Sequence, residues 1–109
     1  MKSALQTISA SPGKQVVVAS PAAMRGFSCK NITAGRLWLM LFNAAALPAN
    51  GTAAKRAWEL GAGQTYEWDS GQDVLPLDTG LVLAISTTDA TLTITATDDA
   101  IIDASYFYS

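Results

Sequence analysis

Glu67 and Asp69, two residues apart, come closest in this sequence to a hydrolytic pair. On one face of a strand they would stand side by side, and paired carboxylates cleave glycosidic bonds as acid and base. No neighbouring residue argues for a raised pKa or a cleft, so the plainer reading is a solvated strand face. Asp98, Asp99 and Asp103 offer oxygen ligands for a hard cation such as calcium, but their spacing fits no calcium loop. Trp38, Trp58, Tyr66 and Trp68 could stack on sugar rings, or pack in a core or against a partner. Tyr106, Phe107 and Tyr108 form an aromatic end suited to an anchoring pocket. These seven aromatic residues are the candidate interface.

Other groups are weaker. The chain has no histidine, which removes the commonest general base and metal ligand. Cys29 is the single cysteine, so no intrachain disulfide forms, and the residue reads as a small buried hydrophobe. Gly61-Ala62-Gly63 lacks the lysine and helix signal of a phosphate loop and reads as a turn. Asn31-Ile32-Thr33 and Asn50-Gly51-Thr52 match the glycosylation pattern. No secretory leader is evident after Met1, so both read as chance, the second as a turn. The expectation is a protein without catalytic residues, metal or cofactor.

The elements that must position these residues read as strands. In residues 91–97, Leu92, Ile94 and Ala96 alternate with four threonines, the pattern of a half-buried strand. The threonine row resembles an ice-binding surface, but one row alone reads as a solvated face. Residues 80–87 form a continuous apolar run, as in a central strand covered on both sides. Residues 14–19 are β-branched, and residues 64–69 place Tyr66 and Trp68 opposite Thr65, Glu67 and Asp69. Residues 37–42 are read as a central strand followed by a loop over 43–52, although the segment also contains good helix formers. Weaker strands are predicted at 5–9, 26–32, 57–60 and 101–108. Turn residues recur about every ten positions, the cadence of a sandwich or barrel. The prediction is all-β: one domain over 1–109, an antiparallel β-sandwich of about eight strands with jelly-roll or related topology. Residues 1–11 and 105–109 are predicted to be extended arms.

Composition bounds the role. Of 109 residues, half are hydrophobic and 15% charged, which suggests a surface partly covered by partners. All seven basic residues lie between Lys2 and Arg56, and all nine acidic ones between Glu59 and Asp103. Either the two halves interleave and mix their charges, or a polarised surface survives and orients association. The basic residues are scattered without an aromatic–basic cluster, so no nucleic acid is expected. The apolar run at 37–42 is too short to span a bilayer, which takes about 20 residues, so no membrane is expected.

Residues 36–95 resemble small virion proteins of tailed bacteriophages. The features carrying the resemblance are a strand ending in Phe42 and Asn43, a loop through Pro48, Asn50, Gly51 and Thr52, and a strand with Trp58, Glu59 and Leu60. A glycine turn, an acidic–aromatic strand, the run from Gly80 to Thr88 and a threonine-rich segment follow. The resemblance implies a β-sandwich that decorates capsids or sits in a neck, tail or fibre. It implies partners that are copies of the chain and other virion proteins, such as major capsid, tail or neck proteins. The location would be the virion, assembled in the host cytoplasm. A module binding carbohydrate or a receptor through Trp58, Tyr66 and Trp68 is the alternative.

Overall fold

Alternation of apolar and polar residues builds two antiparallel sheets that close over a shared core. The computed structural model describes residues 2–8, 15–71, 74–94 and 100–108. Among these are nine strands: β1 (Lys2–Ile8), β2 (Gln15–Val18), β3 (Ala22–Asn31), β4 (Leu37–Phe42), β5 (Arg56–Leu60), β6 (Thr65–Asp69), β7 (Leu75–Leu77), β8 (Leu81–Ser86) and β9 (Ala100–Tyr108). One sheet runs β1-β9-β3-β6, with β7 also paired to β3, and the other runs β2-β8-β4-β5. With the short β7 set aside, the first remaining strand pairs with the last, the second with the seventh, the third with the sixth and the fourth with the fifth. This is one long antiparallel hairpin. Contacts β9·β3 and β8·β4 roll it up, and the result is a jelly roll.

The roll explains where the charges go. It sets early strands beside late ones, so basic Arg25 and Lys30 on β3 lie between acidic Glu67 and Asp69 on β6 and Asp103 on β9. Arg36 likewise bonds Glu59 at 3.1 Å. Around these strands the two charge classes interleave.

Two cores hold the layers. Between the sheets lie Met24, Phe27, Cys29, Leu37, Leu39, Leu41, Trp58, Leu60, Leu77, Leu81, Leu83, Ile85, Ile102 and Tyr106. A second cluster lies outside β4 and β8: Met40, Phe42, Val82, Ala84 and Leu92, with Trp38, Ala44, Ala54 and Ile94 packed against it. Every residue of β8 is therefore buried. The loops over 43–54 and 87–94 supply the second cover and are joined by Gly51 N to Leu92 O at 2.7 Å, Leu92 N to Thr52 O at 2.8 Å and Ala54 N to Ala90 O at 3.0 Å. Gly80 packs tightly between the chain at Ala44 and at Val18. A Cβ there would press on the carbonyl oxygens of Ala44 and Val18.

Three expectations are corrected. Residues 91–94 form no strand. Thr91 makes one isolated bridge to Ala53, and the buried Ser86 hydroxyl accepts bonds from Thr88 N and Thr93 N, folding the segment back on β8. Residues 95–97 lie outside the described residues. The predicted arms are largely sheet: residues 2–8 form β1, and residues 105–108 belong to β9, which pairs with β1 on one side and β3 on the other. Residues 1, 9–11 and 109 lie outside the described residues. Finally, β7 is a strand that the sequence did not announce. Its central Pro76 has no N–H to donate, and β7 tolerates it because among the described residues it pairs only with β3.

Candidate interface site

The chain crosses from one sheet to the other between β5 and β6, and both strands are edges. The corner over residues 61–64 is tight: Gln64 N donates to Gly61 O at 3.0 Å, and Gly61 N donates to the Gln64 Oε1 at 3.0 Å. Gly63 takes φ +70°, a left-handed conformation that favours glycine. The corner is clamped from inside by Asn31, whose side chain is fully buried. Its Nδ2 donates to the carbonyls of Gly35 (2.7 Å), Leu60 (3.1 Å) and Gly61 (3.2 Å). Its Oδ1 accepts from Thr33 N (2.9 Å) and the Thr33 hydroxyl (2.7 Å). Asn31 is thus a structural knot, with its amide nitrogen committed to three backbone carbonyls.

Strand alternation then assembles an aromatic lip at the open side of the sandwich. Trp58 on β5 meets Phe27 on β3 edge-on, with centroids 4.8 Å apart. Trp68 on β6 lies 5.4 Å from Trp58 and 6.0 Å from Phe27, and Tyr66 lies 6.0 Å from Phe27. The Arg56 guanidinium covers both indoles, 5.5 Å from Trp58 and 5.4 Å from Trp68, as expected for a cation attracted to ring faces. Trp58 is buried, Trp68 half-buried, and Tyr66 is 40% exposed. A sugar ring stacked on the indoles would have to displace Arg56. The lip presents a cation, a half-exposed tyrosine and two strand edges.

The other predicted aromatics lie elsewhere. Trp38 is half-buried against the second core. Tyr106 is buried in the main core, and Tyr108 packs beside it with rings 5.9 Å apart. Burial pushes the Tyr106 phenol above its usual range, and Tyr108 adds to this. Phe107 points to the opposite face, under the Arg25 guanidinium at 5.8 Å. Alternation along β9 therefore splits the C-terminal aromatic trio between two faces. The structure brings together Trp58, Tyr66 and Trp68 but not Trp38, Tyr106, Phe107 and Tyr108.

The remaining candidates are placed as follows. Glu67 and Asp69 lie on the exposed face of β6, and the Asp69 carboxylate accepts a bond from Gly71 N at 2.8 Å. Asp103 is across β3 from Glu67, both in register with Ser28. Among the described residues no group of three or more His, Cys, Asp or Glu is arranged to hold a metal ion; Asp98 and Asp99 lie outside them. Cys29 is fully buried, and burial, with a smaller push from Asp103, raises its thiol to about 12. Asn50 is exposed and accepts from Ile94 N at 3.1 Å, a loop-joining role. At the far end, Asn43 bonds Asp78 at 2.7 Å and accepts from Thr79 N and Gly80 N, which holds the Asp78 carboxyl below its usual range. Sequence reading missed Phe27, Asn31 and Arg56 as members of the site. Only Arg56 left a trace, standing two residues before Trp58 on one strand face.

No family model matches the chain, and no curated protein matches it. Among solved structures, it is similar to the coat protein of tobacco streak virus, at 8% identity and a TM-score of 0.41, over 98% of this chain and 87% of that one. A score of 0.41 is too low to show a shared architecture or role.

Proposed function

We propose that the chain is a non-enzymatic structural component of a bacteriophage particle. Head decoration is the favoured place, with a tail, neck or fibre position as the variant. The observation that carries the interface reading is the lip: Arg56, Tyr66 and Trp68 at the junction of two strand edges that have no further partner among the described residues. Aromatic residues and arginine dominate the energetics of protein interfaces, and open edges in a stable protein invite cover. Jelly rolls serve viral capsids, lectins and cupins alike, so the fold accommodates this role without selecting it. The phage particle itself rests on the resemblance of residues 36–95.

The experiment is co-sedimentation of the purified chain with purified particles, combined with oxidative footprinting. Binding with Tyr66 and Trp68 modified in the free chain and shielded on the particle is the expected result. Failure to sediment with any particle, or unchanged modification on it, would overturn the assignment. Shielding by soluble glycans instead would favour the carbohydrate-binding module.

A further inference from the structure

We infer that the open edge of β6 takes an extended, basic segment of a partner protein as an added strand. This rests on the interface reading above and names the partner's chemistry. Three observations converge on one edge. First, the backbone is available. Asn31 N bonds Gln64 O and Ser70 N bonds Arg25 O, so the even-numbered residues of this stretch face β3. Alternation in an antiparallel ladder then turns the N–H and C=O groups of Thr65, Glu67 and Asp69 to the open side. Among the described residues β6 pairs only with β3, and four of its five residues are exposed.

Second, the two faces of that edge have opposite chemistry. Glu67 and Asp69 project on the outer face, and Tyr66 and Trp68 on the lip side. An added strand with alternating residues would set basic side chains over the carboxylates and apolar ones against the exposed Tyr66 ring, beside the Arg56-covered indoles. Third, the outer face next to this edge holds a groove of about 470 Å³, floored by Gly26 and Ser28 and bordered by Asp69, Asp103, Arg25 and Leu5. Asp69 and Asp103 both border it, with Arg25 as the cation among its lining residues, and a long cationic side chain on an adjacent strand would extend over Asp69.

The same charges disfavour a second copy of the chain in the most extensive pairing. Two β6 edges paired antiparallel over their full length about a two-fold axis would oppose Glu67 to Glu67, and a shift toward Asp69 would oppose Glu67 to Asp69. Like charges directly opposed destabilise a strand pair. The acids thus disfavour full-length self-pairing and favour a basic partner, so one pair of residues contributes to both sides of specificity.

The test uses the full chain and a labelled heptapeptide of alternating lysine and valine, read by fluorescence anisotropy. Two further peptides carry N-methyl groups on every second amide, one in each phase. Only the amides facing β6 enter the ladder, so one phase should weaken binding about tenfold or more, the loss of some 1.4 kcal/mol of hydrogen bonding, while the other binds like the parent. Amide exchange at Thr65, Glu67 and Asp69 should slow on binding, and the exposed-site variant Glu67→Lys should bind more weakly. Equal binding by both methylated phases would reduce the contact to charge attraction and overturn strand addition. If the chain binds particles but no heptapeptide, this inference falls while the interface reading stands. If it binds neither, both fall.

Discussion

Replacing Asn31 should loosen the corner that positions the lip, and the size of the effect follows from its bonds. Asn31→Ala removes a donor shared among the carbonyls of Gly35, Leu60 and Gly61, and an acceptor for Thr33. The bond to Leu60 O is fully buried, and a stranded buried group costs about 1–3 kcal/mol. The partly buried partners can recover water, so their loss adds about 1 kcal/mol more. The expected destabilisation is about 3 kcal/mol, a large share of the 5–15 kcal/mol typical of a domain. Asn31→Asp keeps the shape but reverses the chemistry, because a carboxylate facing three carbonyl oxygens has nothing to donate. It should be less stable than Asn31→Ala at pH 7, since a buried charge without a partner costs several kcal/mol.

The carboxyl's folded-state pKa in Asn31→Asp would be raised above its unfolded value, so the folded state holds the extra proton. Its penalty is therefore full at neutral pH and shrinks as pH falls toward the unfolded carboxyl range of about 4. Urea unfolding of the two variants and the parent, between pH 4 and 8, measures this. An Asp variant as stable as the parent at pH 7, or a gap between the variants that widens on acidification, would refute the clamp.

Further predictions follow from other residues. Cys29 should resist thiol reagents in the folded chain and react only on unfolding. Its thiol is raised from 9.0 to about 12, so above pH 9 the unfolded state loses its proton first. Stability should then fall with rising pH between 9 and 12 more steeply in the parent than in Cys29→Ala, as read by denaturant midpoints. Gly80→Ala, forced against two backbone carbonyls, should lose about 2 kcal/mol or fold poorly; an unchanged midpoint would show that the layers can part there. Arg56→Ala should uncover both indoles and raise acrylamide quenching of tryptophan fluorescence, at a stability cost of about 1 kcal/mol. Unchanged quenching would mean that Arg56 does not cover the lip.

What the sequence showed follows from which physical signals are local. The alternation in β6 announced a strand because half-burial imposes period two on it directly, and the continuous apolar run of β8 announced one because both of its faces are covered. The alternation around Leu92 was equally clean but came from a different cause: Leu92 anchors a loop into the second core, while Ser86 binds the backbone that a ladder would have used. Register is nonlocal, and so was the irregularity at Arg25. There the β3–β9 pairing shifts between Met24 and Gly26, and the core-facing positions change from Ala22 and Met24 to Phe27 and Cys29. Of the site, Trp58, Tyr66 and Trp68 were legible as aromatic residues on strands. Their meeting with Phe27 and Arg56 depends on the roll, which brings β3, β5 and β6 together. The C-terminal trio read as a detachable anchor because its neighbours in space, β1 and β3, lie some 80–100 positions away in the chain.

The proposed role is that of a chain built into a virus particle. The most direct measurement of the proposed place in a bacteriophage particle is quantitative mass spectrometry of particles purified from cells in which the chain's own gene is expressed. The account predicts the chain at a fixed ratio to the major coat protein, unchanged through repeated purification. Its absence from such particles, or a trace amount that washes away, would contradict the account.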